Sequence, residues 1–307
     1  MKVVIMAGGR GTRISELFPD IPKPLIPIDG IPVLEREVCS LASQGFRDII
    51  LTVSYLHEKI EEHFGDGSKW GVKIEYFVEN TPLGNAGALF KLNLKEDFLL
   101  LNADAMFDVD FNRFVDFHKQ HGGLVTLFTH PNSHPYDSGL LIADKNGAVE
   151  QWLAKEDSRP EYYRNRVNAG LHVINPSVLE LSGIDADKVG AVGENGKPIK
   201  VDLDRQLLKP LAGTGKMFCY DSPEYVKDMG TPERYDAVCE DYKAGRVSGK
   251  NRKTNRRQYS LIGTEQSINM SDSYGILMSL NFWTVQRTLS RKSMLLGIWQ
   301  SLSQINP

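Results

Sequence analysis

The chain has 307 residues, of which 41% are hydrophobic and 24% charged, so it has a globular composition with room for one large domain or two small ones. Its net charge of -3 excludes the overall basic field that non-specific nucleic-acid binding requires, so any recognition of phosphate must be local. The N-terminal apolar run is too short for a signal peptide or a membrane span, and we expect a cytoplasmic protein with neither nucleic-acid nor membrane partners.

Continuous apolar runs bounded by glycine, proline or charge predict buried strands in the first part of the chain. These strands are Val3–Met6, Asp48–Val53, Val72–Phe77 and Phe98–Leu101. Helical spacing is found between them, at Val33–Gln44, Leu56–Phe64 and Ala86–Leu92. The alternation indicates βαβ units, and hence an α/β fold whose Rossmann-like, mainly parallel sheet is covered by helices on both faces. Ligands bind beyond the carboxyl ends of the strands in such sheets.

The second part of the chain continues the same pattern with four more apolar segments and one polar helix. The strands are predicted at Leu124–Thr129, Leu140–Ile142, Leu171–Ile174 and Lys216–Tyr220, and the helix runs from Pro232 to Lys243. We therefore predict one α/β domain over residues 1–245.

The composition changes abruptly at Arg246. The last 62 residues hold nine Lys or Arg against only Glu265 and Asp272, a net charge of +7, which leaves -10 for residues 1–245. A basic, serine-rich stretch without a sustained period of 2 or 3.6 is usually a solvated tail or a linker.

A shifted reading frame explains this tail better. If each new codon takes the last base of one codon and the first two of the next, the stretch Arg257–Met270 permits A-I-F-L-D-R-D-G-T-I-N-K-Y. The terminal stretch Trp299–Pro307 permits A-I-V-V-T-N-Q-P by the same shift. Both strings resemble motifs of the haloacid-dehalogenase phosphatases, in the right order and in one frame. We hypothesise that residues 246–307 are an out-of-frame remnant of a fused phosphatase domain.

The strongest functional signal is the run Gly8-Gly9-Arg10-Gly11-Thr12-Arg13, directly after the first strand. Glycines let backbone N–H groups approach phosphate oxygens, and Arg13 adds a forked cationic donor. Ten residues later, Lys23 stands between two prolines, where a stiff backbone presents its ammonium group. The run is neither a dinucleotide fingerprint nor a P-loop. An ordinary strand-to-helix turn is the structural alternative.

Three further segments carry candidate functional residues. Asp104 follows the apolar strand that ends near Leu101, where a bound Mg²⁺ would neutralise it, although a helix cap or an ion-pair partner is equally compatible with the local sequence. Asp228 precedes Gly230-Thr231-Pro232, which reads locally as a helix-capping turn. The segment Glu79–Gly87 contains Pro82-Leu83-Gly84, which taken by itself is a turn before a helix.

Together these motifs resemble the sugar-phosphate nucleotidyltransferases over about residues 1–240. The resemblance implies the GT-A-like fold of that family, Arg13 and Lys23 as catalytic cations, and Asp104 with Asp228 as ligands of a Mg²⁺ cofactor. It implies nucleotide contacts from Ala7, Gly8, Gly9, Gly11, Thr12 and Gly84, and sugar-phosphate contacts from Gly139, Lys155 and Asn168. Two departures stand out: Asn85 replaces the usual threonine, and Ala154 replaces a glutamate that binds sugar hydroxyls.

The implied reaction joins an NTP and a sugar 1-phosphate into an NDP-sugar and pyrophosphate, for cell-surface polysaccharide synthesis. A fused phosphatase favours GTP and D-glycero-D-manno-heptose 1-phosphate as substrates. Mannose-1-phosphate guanylyl transfer and glucose-1-phosphate thymidylyl or cytidylyl transfer remain alternatives. A regulatory protein that binds a sugar nucleotide without turnover is the alternative from another class, although the presence of Arg13, Lys23, Asp104 and Asp228 disfavours it.

Overall fold

The computed structural model describes residues 1–9, 11, 13–14, 16–131, 139–154 and 156–247. The chain divides into two units, Met1–Lys253 and Thr254–Pro307, and the second lies outside the described residues. The hypothesis of an out-of-frame remnant therefore concerns a segment of which only Arg246 and Val247 are described. None of the helices in the described ranges has the length and apolar character needed to cross a membrane.

Thirteen strands and five α-helices are formed within the described residues. In the first part of the chain they are β1 (Val3–Met6), β2 (Pro27–Ile28), β3 (Ile31–Pro32), α1 (Val33–Ser43), β4 (Asp48–Val53), α2 (His57–Phe64), β5 (Lys73–Val78), β6 (Phe98–Asn102), β7 (Ala105–Asp108) and α3 (Phe111–His121). In the second part they are β8 (Val125–His130), β9 (Leu140–Ala143), β10 (Val149–Leu153), β11 (Val167–Ile174), α4 (Ser177–Leu181), β12 (Met217–Asp221), β13 (Tyr225–Asp228) and α5 (Pro232–Lys243).

The central sheet has seven strands in the order β12-β8-β11-β6-β1-β4-β5. Neighbouring strands are parallel except at β11, which runs antiparallel to both β6 and β8. This mixed, mainly parallel sheet confirms the predicted fold class. Because Met6 pairs with both Thr52 and Asn102, the carboxyl ends of β1, β4 and β6 meet at one edge.

Alternate residues of the central strands enter two different cores, as the two-residue period of a strand requires. Val3 and Ile5 pack in one core with helices α1 to α3, whereas Val4 packs in the other with Leu203 and Leu207. Strands buried on both faces read as continuous apolar runs, which is why the sequence located them well. A third cluster joins β2, the first residue of α1 and β7 to α5, and Val247 packs against it.

One predicted element is wrong and several are missing from the prediction. Ala86–Leu92 is not an α-helix but contains a single 3₁₀ turn, Gly87–Phe90, because Gly87 is pressed between Leu83 and Val189. Helix α3 was not predicted, because the fourth position of its apolar face is His118, which is buried and bonded to Thr126. The short strands β7, β10 and β13 were also missed.

Candidate functional site

The glycine-rich loop leaves the edge where β1, β4 and β6 end. The N–H of Ala7 donates to the carbonyl oxygen of Thr52 at 2.8 Å, so the loop proper begins at Gly8. Gly11 has φ +59°, and a Cβ there would lie 3.1 Å from the Cβ of Lys23. Glycine is therefore required for both the backbone conformation and the close approach to Lys23. Thr12, like Arg10, lies outside the described residues.

Lys23 is held in a short 3₁₀ turn, Lys23–Leu25, whose Pro24 is buried. Its Nζ donates to Oδ2 of Asp104, and the two side chains are 14% and 27% exposed. Asp104 is therefore an ion-pair partner, as one sequence interpretation allowed, but its partner is another predicted site residue. The side chain of Lys23 thus reaches from the glycine-rich loop to the end of β6. The ion pair holds Lys23 and Asp104 at the same edge of the sheet.

Asp228 reaches this edge through a two-stranded ladder. Strand β13 pairs antiparallel with β7, so that Asp228 lies opposite Ala105, and the N–H of Met229 donates to the carbonyl oxygen of Asp104 at 2.9 Å. The side chain of Asp228 accepts from the N–H of Gly230 at 2.9 Å and from Nη1 of Arg234 at 2.8 and 2.9 Å. The two predicted metal ligands thus lie close together, Asp104 in the turn between β6 and β7 and Asp228 at the end of β13.

Gly230 marks the point where the charged groups converge. A Cβ on Gly230 would lie 2.9 Å from Oδ1 of Asp228, 3.3 Å from Nη2 of Arg13 and 3.7 Å from Nζ of Lys23. We call Arg13, Lys23, Asp104 and Asp228 the charged side of the site. A side chain at position 230 would obstruct it, so the glycine of the D-M-G-T-P motif keeps this space open.

An open cleft of ≈ 580 Å³ lies against the charged side. The predicted residues that line it are Ala7, Gly8, Gly9, Gly11, Arg13, Lys23, Gly84 and Asp104. Asp228 is beside the cleft rather than among its lining residues. A cleft of this size accommodates a nucleotide-sized ligand.

Gly84, which lines the cleft, is at a position where both the backbone conformation and the close packing require glycine. Its φ is +86°, and a Cβ there would overlap the carbonyl oxygen of Val201. The N–H of Val201 donates to Leu83 at 2.8 Å, and the N–H of Leu203 donates to Oδ1 of Asn85 at 2.7 Å. Asn85, which departs from the family pattern, therefore fastens this loop to the helical turn Leu203–Leu208.

Glu79 is a cleft residue to which the sequence analysis assigned no role. It follows β5, its Oε1 would lie 3.4 Å from a Cβ on Gly8, and its Oε2 accepts weakly from the N–H of Leu83 at 3.4 Å. Burial raises the pKa of Glu79, and the bond from Leu83 offsets this only in part. Its place at the head of the E-x-x-P-L-G motif was the available signal.

The remaining predicted residues that the structure describes lie on β11 and directly before β9. Asn168 is at a bulge of β11, and its Oδ1 accepts from the N–H of Gly170 at 3.1 Å and from Nε2 of His172 at 3.0 Å. Gly170, at φ +77°, abuts the side chain of Asn102, which lines the cleft. We call Asn168, Gly170 and His172 the β11 side. Gly139 precedes β9 beside Trp152, whereas Lys155 lies outside the described residues.

His172 is 1% exposed, and burial lowers its pKa to about 4. The imidazole is therefore neutral, and because the Asn168 oxygen is an acceptor, Nε2 must carry the proton. Because the side-chain oxygen of Asn168 already accepts two hydrogen bonds, the NH₂ group is the part of this side chain able to bind a ligand. The β11 side is thus a neutral donor surface, unlike the charged side.

The donor set of the charged side fits Mg²⁺. Within the described residues, no group of three or more His, Cys, Asp or Glu side chains could hold a metal, so the protein offers two carboxylates, Asp104 and Asp228. Mg²⁺ is commonly held by one or two carboxylates, with waters and substrate phosphates completing its octahedron. Both carboxylates already attract a cation, Lys23 for one and Arg234 for the other.

The chain is similar to known proteins in both sequence and fold. The chain is 30% identical over 240 residues to the mannose-1-phosphate guanylyltransferase catalytic subunit beta of Drosophila pseudoobscura pseudoobscura, and 31% identical over 237 residues to the mannose-1-phosphate guanylyltransferase of Mycobacterium tuberculosis. Each alignment covers 76% of this chain, and the chain spans about 60% of the length of these relatives.

Among solved structures, HddC from Yersinia pseudotuberculosis superposes with a TM-score of 0.62 at 24% identity, covering 78% of this chain and 99% of HddC. The same protein has been crystallised with GMP-PN. At this identity the likeness supports the fold only. The sequence model of the nucleotidyl transferase family matches residues 2–242, nearly all of the described fold, and the chain belongs to that family.

Proposed function

We propose that this protein transfers a nucleotidyl group from an NTP to a sugar 1-phosphate and releases pyrophosphate. The observation that carries the proposal is the ion pair of Lys23 with Asp104 at the mouth of a glycine-lined cleft, with Arg13 and Asp228 at the same point. Two anions must meet in this reaction, and the charged side supplies the cations that neutralise them. Family membership and the guanylyltransferase relatives support the same chemistry.

The proposed roles follow from where each group lies. The amides of Gly8, Gly9, Gly11 and Thr12 bind the triphosphate with Arg13, which forms no ion pair among the described residues. Because the Ala7 N–H is engaged by Thr52, Ala7 contributes through its position under the nucleotide rather than through that N–H. Gly139, Asn168 and Lys155 receive the sugar 1-phosphate.

An oxygen of the sugar phosphate attacks the α-phosphorus in line with the departing pyrophosphate. Lys23 neutralises charge at the α-phosphate and Arg13 holds the leaving pyrophosphate, so catalysis consists of positioning and electrostatic stabilisation. Asp104 and Asp228 would hold Mg²⁺, which supplies positive charge to the phosphates of both substrates. Proton transfer is not required, and no covalent enzyme intermediate forms.

Glu79 supports GTP as the nucleotide. A carboxylate offers two acceptor oxygens, and guanine is the base that presents two adjacent donors, N1–H and N2–H, on its pairing edge. Glu79 stands on the cleft wall beside Gly8, within reach of a base whose phosphates lie on the loop. The guanylyltransferase relatives are consistent with this choice.

The proposed sugar is D-glycero-D-manno-heptose 1-phosphate, and its support is the shifted-frame reading of residues 246–307. A phosphatase fused to a nucleotidyltransferase suggests two consecutive steps, removal of one phosphate followed by guanylyl transfer. Sequencing the encoding DNA tests the premise: a shifted frame interrupted by stop codons between Arg257–Met270 and Trp299–Pro307 would refute it. Mannose 1-phosphate is the second candidate because it is named in the sequence relatives.

Pyrophosphate release from purified full-length protein tests the activity, with four NTPs each offered heptose, mannose and glucose 1-phosphates in the presence of Mg²⁺. We expect GTP with the heptose phosphate to give the highest kcat/KM. Release with none of the twelve pairs would refute the proposed activity. A matched pair of variants tests the base: Glu79→Gln replaces one acceptor by a donor and should shift preference toward UTP or dTTP. Glu75→Gln, on β5 just before Glu79, should leave the preference unchanged, because Glu75 pairs with Lys73.

A further inference from the structure

Arg234 stands at the charged side but belongs to none of the motifs to which a role was assigned. It lies in the first turn of α5, where Pro232 is the first residue and Thr231 caps the helix. One of its nitrogens, Nη1, contacts both carboxylate oxygens of Asp228, at 2.8 and 2.9 Å. The side chains of Arg234 and Asp228 are 53% and 47% exposed.

The charges of the site are distributed unevenly around this pair. Asp104 is paired with Lys23 and Asp228 with Arg234, while Arg13 has no ion-pair partner among the described residues. Three cations therefore face two carboxylates. Without ligands, both carboxylates are already neutralised and one positive charge is left over for an anion.

A structural role explains the pair poorly. An ion pair whose members are about half exposed adds little to stability, because water screens it and both side chains lose freedom. Asp228 is also oriented by the N–H of Gly230, and α5 is already capped by Thr231. The pair is therefore readily broken by a ligand that competes for Asp228.

A divalent cation is such a competitor. It would require at least one of the Asp228 oxygens that Arg234 contacts, and a guanidinium beside it would repel it. Once separated from Asp228, the guanidinium would lie close to the place where Arg13 and Lys23 converge and where the triphosphate is proposed to bind. For Arg234, the loss of the Asp228 carboxylate would then be offset by a new contact with a phosphate.

We propose that Arg234 is the counter-ion of Asp228 in the ligand-free protein, that the metal displaces it, and that it then binds the nucleotide phosphates. Arg234 thereby couples metal binding to nucleotide binding: free metal must break the pair, whereas metal together with nucleotide gives the arginine a new partner. By thermodynamic linkage, nucleotide binding strengthens metal binding by the same factor as metal binding strengthens nucleotide binding. This inference rests on the proposed function, because it takes Asp228 as a metal ligand.

Mn²⁺ binding followed by electron paramagnetic resonance tests the inference without any turnover. In the absence of nucleotide, Arg234→Gln should bind Mn²⁺ about two- to fivefold more tightly than the parent protein, which is the range for an exposed ion pair. Addition of GTP should then raise Mn²⁺ affinity by a smaller factor in the variant than in the parent. Arg164→Gln is the matched control, since Arg164 also forms an exposed pair, with Asp221 at 3.1 Å, and should change neither value.

Asp228→Asn separates the two levels of the proposal. If Asp228 binds the metal, this variant loses Mn²⁺ affinity, and adding Arg234→Gln to it has no further effect. Equal or weaker Mn²⁺ binding by Arg234→Gln, with Asp228→Asn still impaired, would overturn the counter-ion role and leave the proposed function intact. Unchanged Mn²⁺ binding by Asp228→Asn would instead refute the metal assignment itself. Circular dichroism and thermal unfolding establish that each variant is folded.

Discussion

The charged side lines the cleft and the β11 side abuts it at Asn102, but the two are built on different physical principles. On the charged side, residues from short local motifs reach a common edge, and opposite charges hold them there: Lys23 on Asp104 and Arg234 on Asp228. On the β11 side the groups are neutral, and a buried histidine orients an asparagine through one hydrogen bond. We expect the charged side to supply affinity for phosphates and the β11 side to orient the sugar phosphate. We expect variants on the two sides to fail in different ways.

The largest effect should come from removing a carboxylate on the charged side. Asp104→Asn and Asp228→Asn each keep the side-chain shape but weaken metal binding, and we expect kcat/KM for pyrophosphate release to fall by about 10³-fold. Asp116→Asn, at an exposed position on α3, is the control and should be neutral. Full activity in both site variants would show that the charged side does not act through a metal.

A backbone variant at Gly84 tests whether the wall of the cleft depends on close packing. Gly84→Ala must adopt φ +86° and would place a methyl group against the Val201 carbonyl, so we expect a loss of about 3 kcal/mol or more in the free energy of unfolding. Gly45→Ala has a similar φ of +93° with nothing within 4 Å and should lose only about 1 kcal/mol. Urea unfolding measures both. Equal losses would mean that the contact with Val201 contributes nothing.

His172 tests the β11 side. His172→Met fills the space but removes the N–H that holds the Asn168 oxygen, and we expect the KM for the sugar phosphate to rise about tenfold while the KM for GTP is unchanged. His172→Gln can restore the donor and should recover part of the loss. If both KM values rise together, His172 supports the whole fold rather than the orientation of Asn168.

The smallest effect concerns Asp204, a carboxylate in the turn Leu203–Leu208 to which Asn85 is bonded. Burial and the nearby Asp202 raise the pKa of Asp204 to about 6. Since the folded pKa exceeds the unfolded value, ionised Asp204 destabilises the fold above pH 6, and this cost disappears as the pH falls below about 4. Asp204→Asn should therefore stabilise the protein by about 1–2 kcal/mol at pH 8 and by little at pH 4. Thermal unfolding at the two pH values checks this; equal shifts at both would contradict the raised pKa.

The sequence predicted the central strands well and the connections between them poorly. Runs such as Phe98–Leu101 are buried on both faces, so their character is visible without knowing their partners. Helix α3 was missed because His118 takes an apolar position, which only the partner Thr126 explains. The helix predicted over Ala86–Leu92 failed because Gly87 packs against Val189, a contact distant in sequence.

The candidate site shows the same division. The loop residues and Lys23 lie within one short stretch, and their meeting follows from the spacing of the motif. The approach of Asp228 to Asp104 depends on the ladder between β13 and β7, and was implied only by family resemblance. Glu79 lay within a recognised segment and Arg234 within a predicted helix, yet their proposed roles emerge only from their positions: Glu79 lines the cleft, and Arg234 contacts the Asp228 carboxylate.

The direction of β11 has a practical consequence. Because β11 runs against β6, it brings its beginning, not its end, to the edge where the parallel strands finish. The residues before it, from Glu156 to Arg166, therefore lead into β11 at the edge where β1, β4 and β6 end. We therefore expect substitutions in this connection to affect the proposed sugar-phosphate side and to leave the strands beneath the glycine-rich loop in place.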